Sequence, residues 1–343
     1  MAKSKRNLLF LFFILILVLA AGGYFYVRSV IATTFNISQT VYIYVDDRKD
    51  YNSILTQIDT TAHVADMDNF KRVASFMKYP ENIKTGRYAI TPEMNIREAI
   101  RIMQRGQQAP VKLRFNNIRL KEDLAKRISD QLMLSESEIL SVLNDSAKCK
   151  ELGFSLETIN AMFIPNTYEI YWDISLDSFF KRMQNEYTKF WNADRLKKAD
   201  ALGLTPVEVS VLASIVEEEC YFQDEYPMVA GLYLNRLKRG QLLQADPTVK
   251  FAVGDFSLKR ILFKHLEVES PYNTYKHVGL PPGPIRVPSI KGIDAVLNPA
   301  NHNYLYMCAK EDFSGRHNFA VTHAEHERNA NRYRSALNSR RIF

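Results

Sequence analysis

Cysteine is scarce in this chain, which has three in 343 residues, Cys149, Cys220 and Cys308. An odd number at such wide spacing excludes a dense disulfide framework, and no CxxC pair exists for structural zinc or dithiol chemistry. Low-complexity sequence is also missing: 46% hydrophobic and 24% charged residues are the proportions of a folded chain rather than a disordered one. The net charge is +7, but the basic residues form no stripe and often adjoin acids, as in Lys121-Glu122-Asp123. No nucleic-acid partner is therefore expected. There is no HExxH motif. His277, His302, His317, His323 and His326 lie in the last quarter, and His323 and His326 sit one turn apart as His-Ala-Glu-His, but this spacing is not that of a zinc protease. Neither a metal nor any other cofactor is expected.

The sequence does contain one long hydrophobic run. Lys3, Lys5 and Arg6 precede an uncharged stretch from Asn7 to Val27 rich in Leu, Ile and Phe, and about 20 apolar residues span a bilayer. The flanking bases predict a cytoplasmic tail over residues 1–6 and a single-pass anchor over 7–28 in the inner (cytoplasmic) membrane. Everything after Arg28 is then periplasmic. A cleaved signal peptide is the competing reading, since Ala20-Ala21-Gly22-Gly23 offers small residues. The run, however, continues into Tyr24-Phe25-Tyr26, an aromatic cluster suited to the membrane interface.

Beyond the anchor, an α+β chain is expected, with a small subdomain over residues 38–110 and a larger mixed α+β catalytic domain over 111–343. Val41–Val45 and Gly86–Ile90 read as strands, and Tyr51–Ile58 and Met67–Met77 as helices between them. That order resembles a LysM-like glycan-binding module; a generic α+β subdomain is the alternative. A helix is expected from Thr91-Pro92 to a stop at Gly106, a strand at Val111–Phe115, helical periodicity from Leu120 to Leu143, and a further helix from Ser178 to Trp191. Loops dense in turn residues are expected at Gln244-Ala245-Asp246-Pro247-Thr248, Tyr272-Asn273-Thr274-Tyr275 and Gly279-Leu280-Pro281-Pro282-Gly283-Pro284-Ile285. Tyr and Asn in such loops suit a sugar cleft, although Tyr272-Asn273-Thr274-Tyr275 reads equally as an Asx-turn with two packed rings.

The chemistry is expected on the segment Leu212–Tyr221. Thr205-Pro206-Val207-Glu208 combines an N-cap, a proline at the first helical position and a capping-box glutamate. At 100° per residue Val209, Leu212, Ile215 and Val216 form an apolar stripe, and of Glu217, Glu218 and Glu219 only Glu219 falls within it. A carboxyl turned toward a packed face ionises reluctantly, the state a general acid needs near neutral pH.

Taken together, the motifs resemble the YceG-like endolytic murein transglycosylases, the MltG family. They run in order: Thr85-Gly86-Arg87-Tyr88, Phe163-Ile164-Pro165-Asn166-Thr167-Tyr168, Ala213 to Glu219, Asn235-Arg236-Leu237, Gln244 to Thr248, Tyr272 to Tyr275, Gly279 to Ile285, Asn298-Pro299-Ala300 and Tyr304-Leu305-Tyr306. The resemblance carries the family's catalytic glutamate onto Glu219 and implies substrate contacts at Glu217, Gln244, Asp246, Thr248, Tyr272, Asn273, Tyr275 and Asn166. Asn166 stands where the family commonly has Asp, and Ala245 where it has Thr.

The implied activity is cleavage of peptidoglycan glycan strands between N-acetylmuramic acid and N-acetylglucosamine, leaving a 1,6-anhydro end. Glu219 would act in turn as acid and base. Membrane-embedded cell-wall synthases are the implied protein partners. A water-using muramidase, with Asp246 or Glu217 as second carboxylate, is one alternative. A non-catalytic, membrane-tethered peptidoglycan-binding scaffold is the other. His317 with Asn318-Phe319 is expected on a strand beside the cleft.

Overall fold

The computed structural model describes residues 2–116, 118–258 and 260–340, with side chains described from Phe10 onward. Lys3, Lys5 and Arg6, on which the expected membrane orientation rests, have side chains outside the described residues. The chain divides into two compact units: one of residues 1–112, 131–133 and 169–174, the other of 113–130, 134–168 and 175–343.

In the first unit α1 (Ala2–Ile31) is followed by β1 (Val41–Val45), α2 (Tyr51–Thr60), α3 (Met67–Phe76), β2 (Gly86–Ile90) and α4 (Ile96–Arg105). Within α1, Phe10–Ile31 is long and apolar enough to cross a membrane. β1 and β2 pair antiparallel, Val41 opposite Ile90 and Val45 opposite Gly86, in the strand, helix, helix, strand order read from the sequence. Helices α2, α3 and α4 each start on an acid or amide cap: Asp50 accepts from the Asn52 and Ser53 amides, Asp66 from that of Asn69, and Asn95 from that of Glu98. The last cap corrects an expected boundary. Thr91 to Met94 form a turn, closed by the Met94 amide on the Thr91 carbonyl at 3.1 Å, and α4 begins only at Ile96, where the apolar face begins and Asn95 satisfies the free amides.

Ile43, Ile54, Ile58, Phe70, Tyr88, Ile96, Ile100 and Met103 are fully buried in this unit's core, each worth about 1.5–3 kcal/mol if aliphatic. The segment 169–174 folds onto the same unit: Trp172 packs edge-on against Tyr44 with ring centroids 5.1 Å apart. Asp173 accepts from Thr85 Oγ1 and Gln108 Nε2, both at 2.9 Å. Gly86 has φ 139° and any Cβ there would lie 2.3 Å from the Gln108 side chain, so the Thr-Gly pair is fixed by backbone conformation and close approach together.

Strand β3 (Val111–Arg114) pairs with β4 (Thr167–Ile170). The second unit contains α5 (Lys121–Ser129), α6 (Glu136–Leu143), α7 (Ser146–Glu151), α8 (Leu176–Phe190), α9 (Ala193–Ala201) and α10 (Pro206–Glu219). It continues with α11 (Tyr226–Lys238), α12 (Asp246–Val253), α13 (Phe263–Leu266), α14 (Ile290–Leu297), the hairpin β5 (Tyr306–Ala309) and β6 (His317–Ala320), and α15 (His323–Ser339). The helical run expected over Leu120–Leu143 is two helices, because Ser135 and Glu138 form a capping box that starts α6 afresh. The turn expected at Asp246-Pro247-Thr248 is the first turn of α12, with Pro247 at a position where its missing N–H costs nothing.

Helix α10 is the hub of this unit, packed by α9, α11, α12 and α14. Every residue from Val209 to Val216 is buried. The apolar stripe predicted for it is therefore not a stripe: the helix is enclosed all round, as a central helix must be.

Candidate functional site

The site is built from the C-terminal end of α10. Thr205 Oγ1 accepts from the Glu208 amide at 3.2 Å and Glu208 Oε2 from the Thr205 amide at 2.7 Å, fixing where the helix begins. Glu219 is its last residue. The carbonyl end of a helix dipole disfavours a negative charge, and burial does so more strongly. Together with the repulsion of Asp246 and Glu218, burial outweighs the Tyr233 hydrogen bond and the Arg236 charge, and the Glu219 carboxyl is pushed up to about 7. It is therefore an acid that is half protonated near neutral pH.

Helix α11 supplies the partners. Tyr233 Oη donates to Glu219 Oε1 at 2.9 Å, and burial with the adjacent carboxylate raises this phenol well above its usual value, so it remains a donor. One turn on, Arg236 is immobilised by its own bonds, Nε to the Leu305 carbonyl and Nη1 to that of Leu243, both at 2.6 Å. The Gly231 face of α11 is pressed so closely on the 300–302 segment that a Cβ would lie 2.6 Å from the Ala300 carbonyl. Glycine is needed there for contact rather than for φ.

Glu219, Tyr233 and Arg236 line a cavity of about 290 Å³ with Gln244, Asp246 and Tyr275, closed by Met307, Cys308 and Ala309 of β5 and His317 of β6. Tyr275 Oη donates to Asp246 Oδ1 at 2.6 Å. Gln244 holds a left-handed backbone, φ 48°, a conformation costly for a residue with a Cβ and found preferentially at functional sites. The His317 amide and ring both meet Glu225, at 3.2 and 3.3 Å, which holds the histidine on its strand beside the cavity as expected. Glu219 and Asp246 also face a larger cleft of about 1130 Å³, bordered by Glu218, Lys250, Arg260 and, from α15, Tyr333 and Arg334.

Thus Glu219, Gln244, Asp246 and Tyr275 come together, and the other residues expected at the site are engaged elsewhere. Glu217, expected to face away from the packed side, has a side chain only 4% exposed. It accepts from the Ser289 amide at 2.9 Å and from the Ser289 hydroxyl, so it joins α10 to α14 instead of lining the cavity. Thr248 is fully buried, bonded to the Ala245 carbonyl and to Thr274 Oγ1. Asn273, also fully buried, accepts from the Tyr275 amide and donates to the Leu266 and Val268 carbonyls: it is the Asx-turn of the bland alternative, and its work is to present Tyr275. Tyr272 packs on Phe251 with centroids 4.7 Å apart. Asn166 is exposed, its Oδ1 taken up by the Thr167 amide at 2.7 Å.

Sequence reasoning missed Tyr233 as the partner of Glu219. The available signal was the i, i+3 spacing of Tyr233 and Arg236, which puts two polar tips on one face of an otherwise buried helix. Among the described residues no group of three or more His, Cys, Asp and Glu side chains is placed to hold a metal ion.

This geometry has relatives. An endolytic murein transglycosylase of Bacillus subtilis (strain 168) is 31% identical over 235 residues, 63% of this chain and 63% of that protein. A protein of the same name from Streptococcus pneumoniae serotype 2 (strain D39 / NCTC 7466) is 25% identical over 366 residues, 95% of this chain and 65% of that one. The chain thus spans a little under two thirds of the length of these curated relatives. The 2.6 Å crystal structure of a yceG-like protein from Listeria monocytogenes matches with a TM-score of 0.55 at 26% identity, over 85% of this chain and 99% of that one. The YceG-like family itself is matched over residues 43–332, most of both units, and the chain belongs to it.

Proposed function

We propose that the protein is a membrane-anchored endolytic lytic transglycosylase that cuts peptidoglycan glycan strands between N-acetylmuramic acid and N-acetylglucosamine. The observation that carries this reading is Glu219, a carboxyl held near neutrality by burial, bonded to a phenol rather than to a cation, and facing a cleft open to a polymer. Protonated Glu219 gives its proton to the leaving glycosidic oxygen. The resulting carboxylate then removes the proton of the C6 hydroxyl, which attacks C1 of the same sugar, so one group serves twice and no water is consumed. Tyr233 holds the carboxylate between the two steps, while Gln244, Asp246 and Tyr275 contact the sugars flanking the bond.

The strand, helix, helix, strand unit over 38–110 supports a LysM-like role in holding the strand. Phe10–Ile31 supports a single-pass anchor, with the catalytic unit on the periplasmic side of the inner membrane and membrane-embedded synthases as neighbours. A second reading is favoured by one observation: Asp246 lines the same cavity as Glu219, as the base of a water-using muramidase would.

The product separates the two. Purified glycan strands should yield 1,6-anhydro-N-acetylmuramic ends, lighter by one water (~18 Da by stoichiometry) than hydrolytic ends. Glu219→Gln should abolish cleavage, and Asn166→Asp should leave the product unchanged. Hydrated ends alone, or ¹⁸O from labelled water at C1, would transfer the assignment to the muramidase.

A further inference from the structure

Helix α1 runs into the core of the first unit without a linker. Val30, at its last turn, is 9% exposed and packs with the core that contains Phe35 and Phe70. Immediately afterwards Thr34 bridges to Asn95 and Phe35 to Val64, and the Ile96 amide donates to the Thr33 carbonyl at 2.9 Å. The unit is therefore fastened to the end of the apolar helix.

Two side-chain contacts then fix the direction of α3. Asn69 Nδ2 donates to Thr33 Oγ1 at 3.1 Å, and three residues later Arg72 Nη1 donates to Tyr26 Oη, also at 3.1 Å. Tyr26 lies about 7 Å before the end of α1 at Ile31, and Thr33 lies just past that end. Helix α3 thus descends alongside α1 toward the Tyr24-Phe25-Tyr26 cluster, where a spanning helix meets the headgroups. Phe76 lies one turn beyond Arg72 on the same face, about 6 Å further down, and is 88% exposed. Lys71, on another face of α3, and Lys78, just past its end, are also exposed.

We propose that the C-terminal end of α3 docks on the membrane surface, with the Phe76 ring in the interface and Arg72, Lys71 and Lys78 on the headgroups of anionic phospholipids. An exposed phenylalanine one turn beyond Arg72, at the height where an anchoring helix leaves the bilayer and with the acid of the same face, Asp68, two turns further up, is complementary to an apolar boundary overlain by negative charge. The proposal rests on α1 lying in a bilayer and is independent of the glycan chemistry.

The test uses the full chain in nanodiscs of phosphatidylcholine and phosphatidylglycerol, with bromines on the upper acyl chain of one lipid at a time. Trp172 and Trp191 of the parent give the fluorescence baseline, Phe76→Trp probes α3, and Leu17→Trp probes α1. The F76W signal should fall at least ~2-fold with brominated phosphatidylglycerol and less with the same fraction of brominated phosphatidylcholine, since each basic residue favours the anionic lipid. Adding Arg72→Glu should remove that difference. Quenching of L17W without quenching of F76W would overturn the docking while leaving the anchor in place. If neither is quenched, the membrane reading itself fails and the docking with it. Equal quenching of F76W by both lipids, unmoved by Arg72→Glu, would overturn the headgroup contact.

Discussion

Replacing Glu219 with glutamine should stabilise the second unit, and the gain should depend on pH in a direction fixed by the site. The folded-state carboxyl sits at about 7 against an ordinary 4.5. Folding therefore favours the protonated form. Below pH 4.5 the group is protonated folded and unfolded and makes no difference. Between 4.5 and 7 the unfolded chain ionises first, and above 7 the folded protein carries the full cost of a buried charge, about 3 kcal/mol at most. The Glu219→Gln variant never carries that cost, and its amide still offers an oxygen to Tyr233. For a unit of some 200 residues, 3 kcal/mol is roughly 6–12 °C in Tm. Thermal unfolding of parent and variant in detergent should show similar midpoints near pH 4.5 and a variant several degrees higher at pH 8. A gap of the same size at both pH values would mean that the carboxyl is not held protonated by burial, and the argument for it as general acid would fall.

Three further outcomes follow from individual contacts. Tyr233→Phe removes a bond that favours the charged form of Glu219, so the alkaline limb of the kcat/KM profile, near pH 7 in the parent, should move up by about one pH unit, from a charged hydrogen bond of ~1.5 kcal/mol; a downward move would contradict the assignment of the phenol as donor. Gly292→Ala puts a Cβ 2.4 Å from Glu217 Oε1 and should cost about 1–3 kcal/mol by denaturant titration while leaving the alkaline limb where it was. Tyr275→Phe takes the phenol from Asp246 and should raise KM for glycan strands more than it lowers kcat, measured on strands of fixed length.

Much of the first unit was legible because its signals are local. Strand limits at Val41–Val45 and Gly86–Ile90 follow from short β-branched and aromatic runs next to turns, and helix starts follow from caps. Thr91-Pro92 misled because a helix-start pattern was read one turn before the residue, Asn95, that could cap the apolar face. In the second unit the sequence singles out Glu219 by a stripe argument that the fold supports only in part. Helix α10 is buried on all sides, so periodicity could not show which glutamate meets solvent. That depended on which neighbour lies opposite each side chain, and those neighbours, Ser289, Arg286 and Tyr233, are between 14 and 72 residues away in sequence. Asn273 and Thr248 look like sugar ligands in the sequence because a polar residue in a turn-rich segment has two uses, binding a ligand or satisfying the turn's own backbone; here Asn273 is spent on three backbone groups and Thr248 on the Ala245 carbonyl and Thr274.

The three consecutive glutamates show how one helix end separates structure from chemistry. Successive side chains leave a helix 100° apart, so Glu217, Glu218 and Glu219 meet three different surroundings. Glu217 takes the amide and hydroxyl of Ser289 at the start of α14. Glu218 lies between Arg119 at 2.6 Å and Arg286 at 2.7 Å, two ion pairs that tie α10 to segments far away in sequence. These contacts fasten the last turn of the helix to its neighbours, which matters to the role proposed for Glu219 because a general acid misplaced by 1 Å loses much of its effect. Glu219 then enters the cavity with a phenol for a partner. Had Arg286 reached it in place of Glu218, the carboxyl would be held ionised and could not protonate a leaving oxygen at neutral pH. Burial is thus the largest cause of the raised Glu219 carboxyl, and the pairing of Arg119 and Arg286 with Glu218 leaves that burial in force.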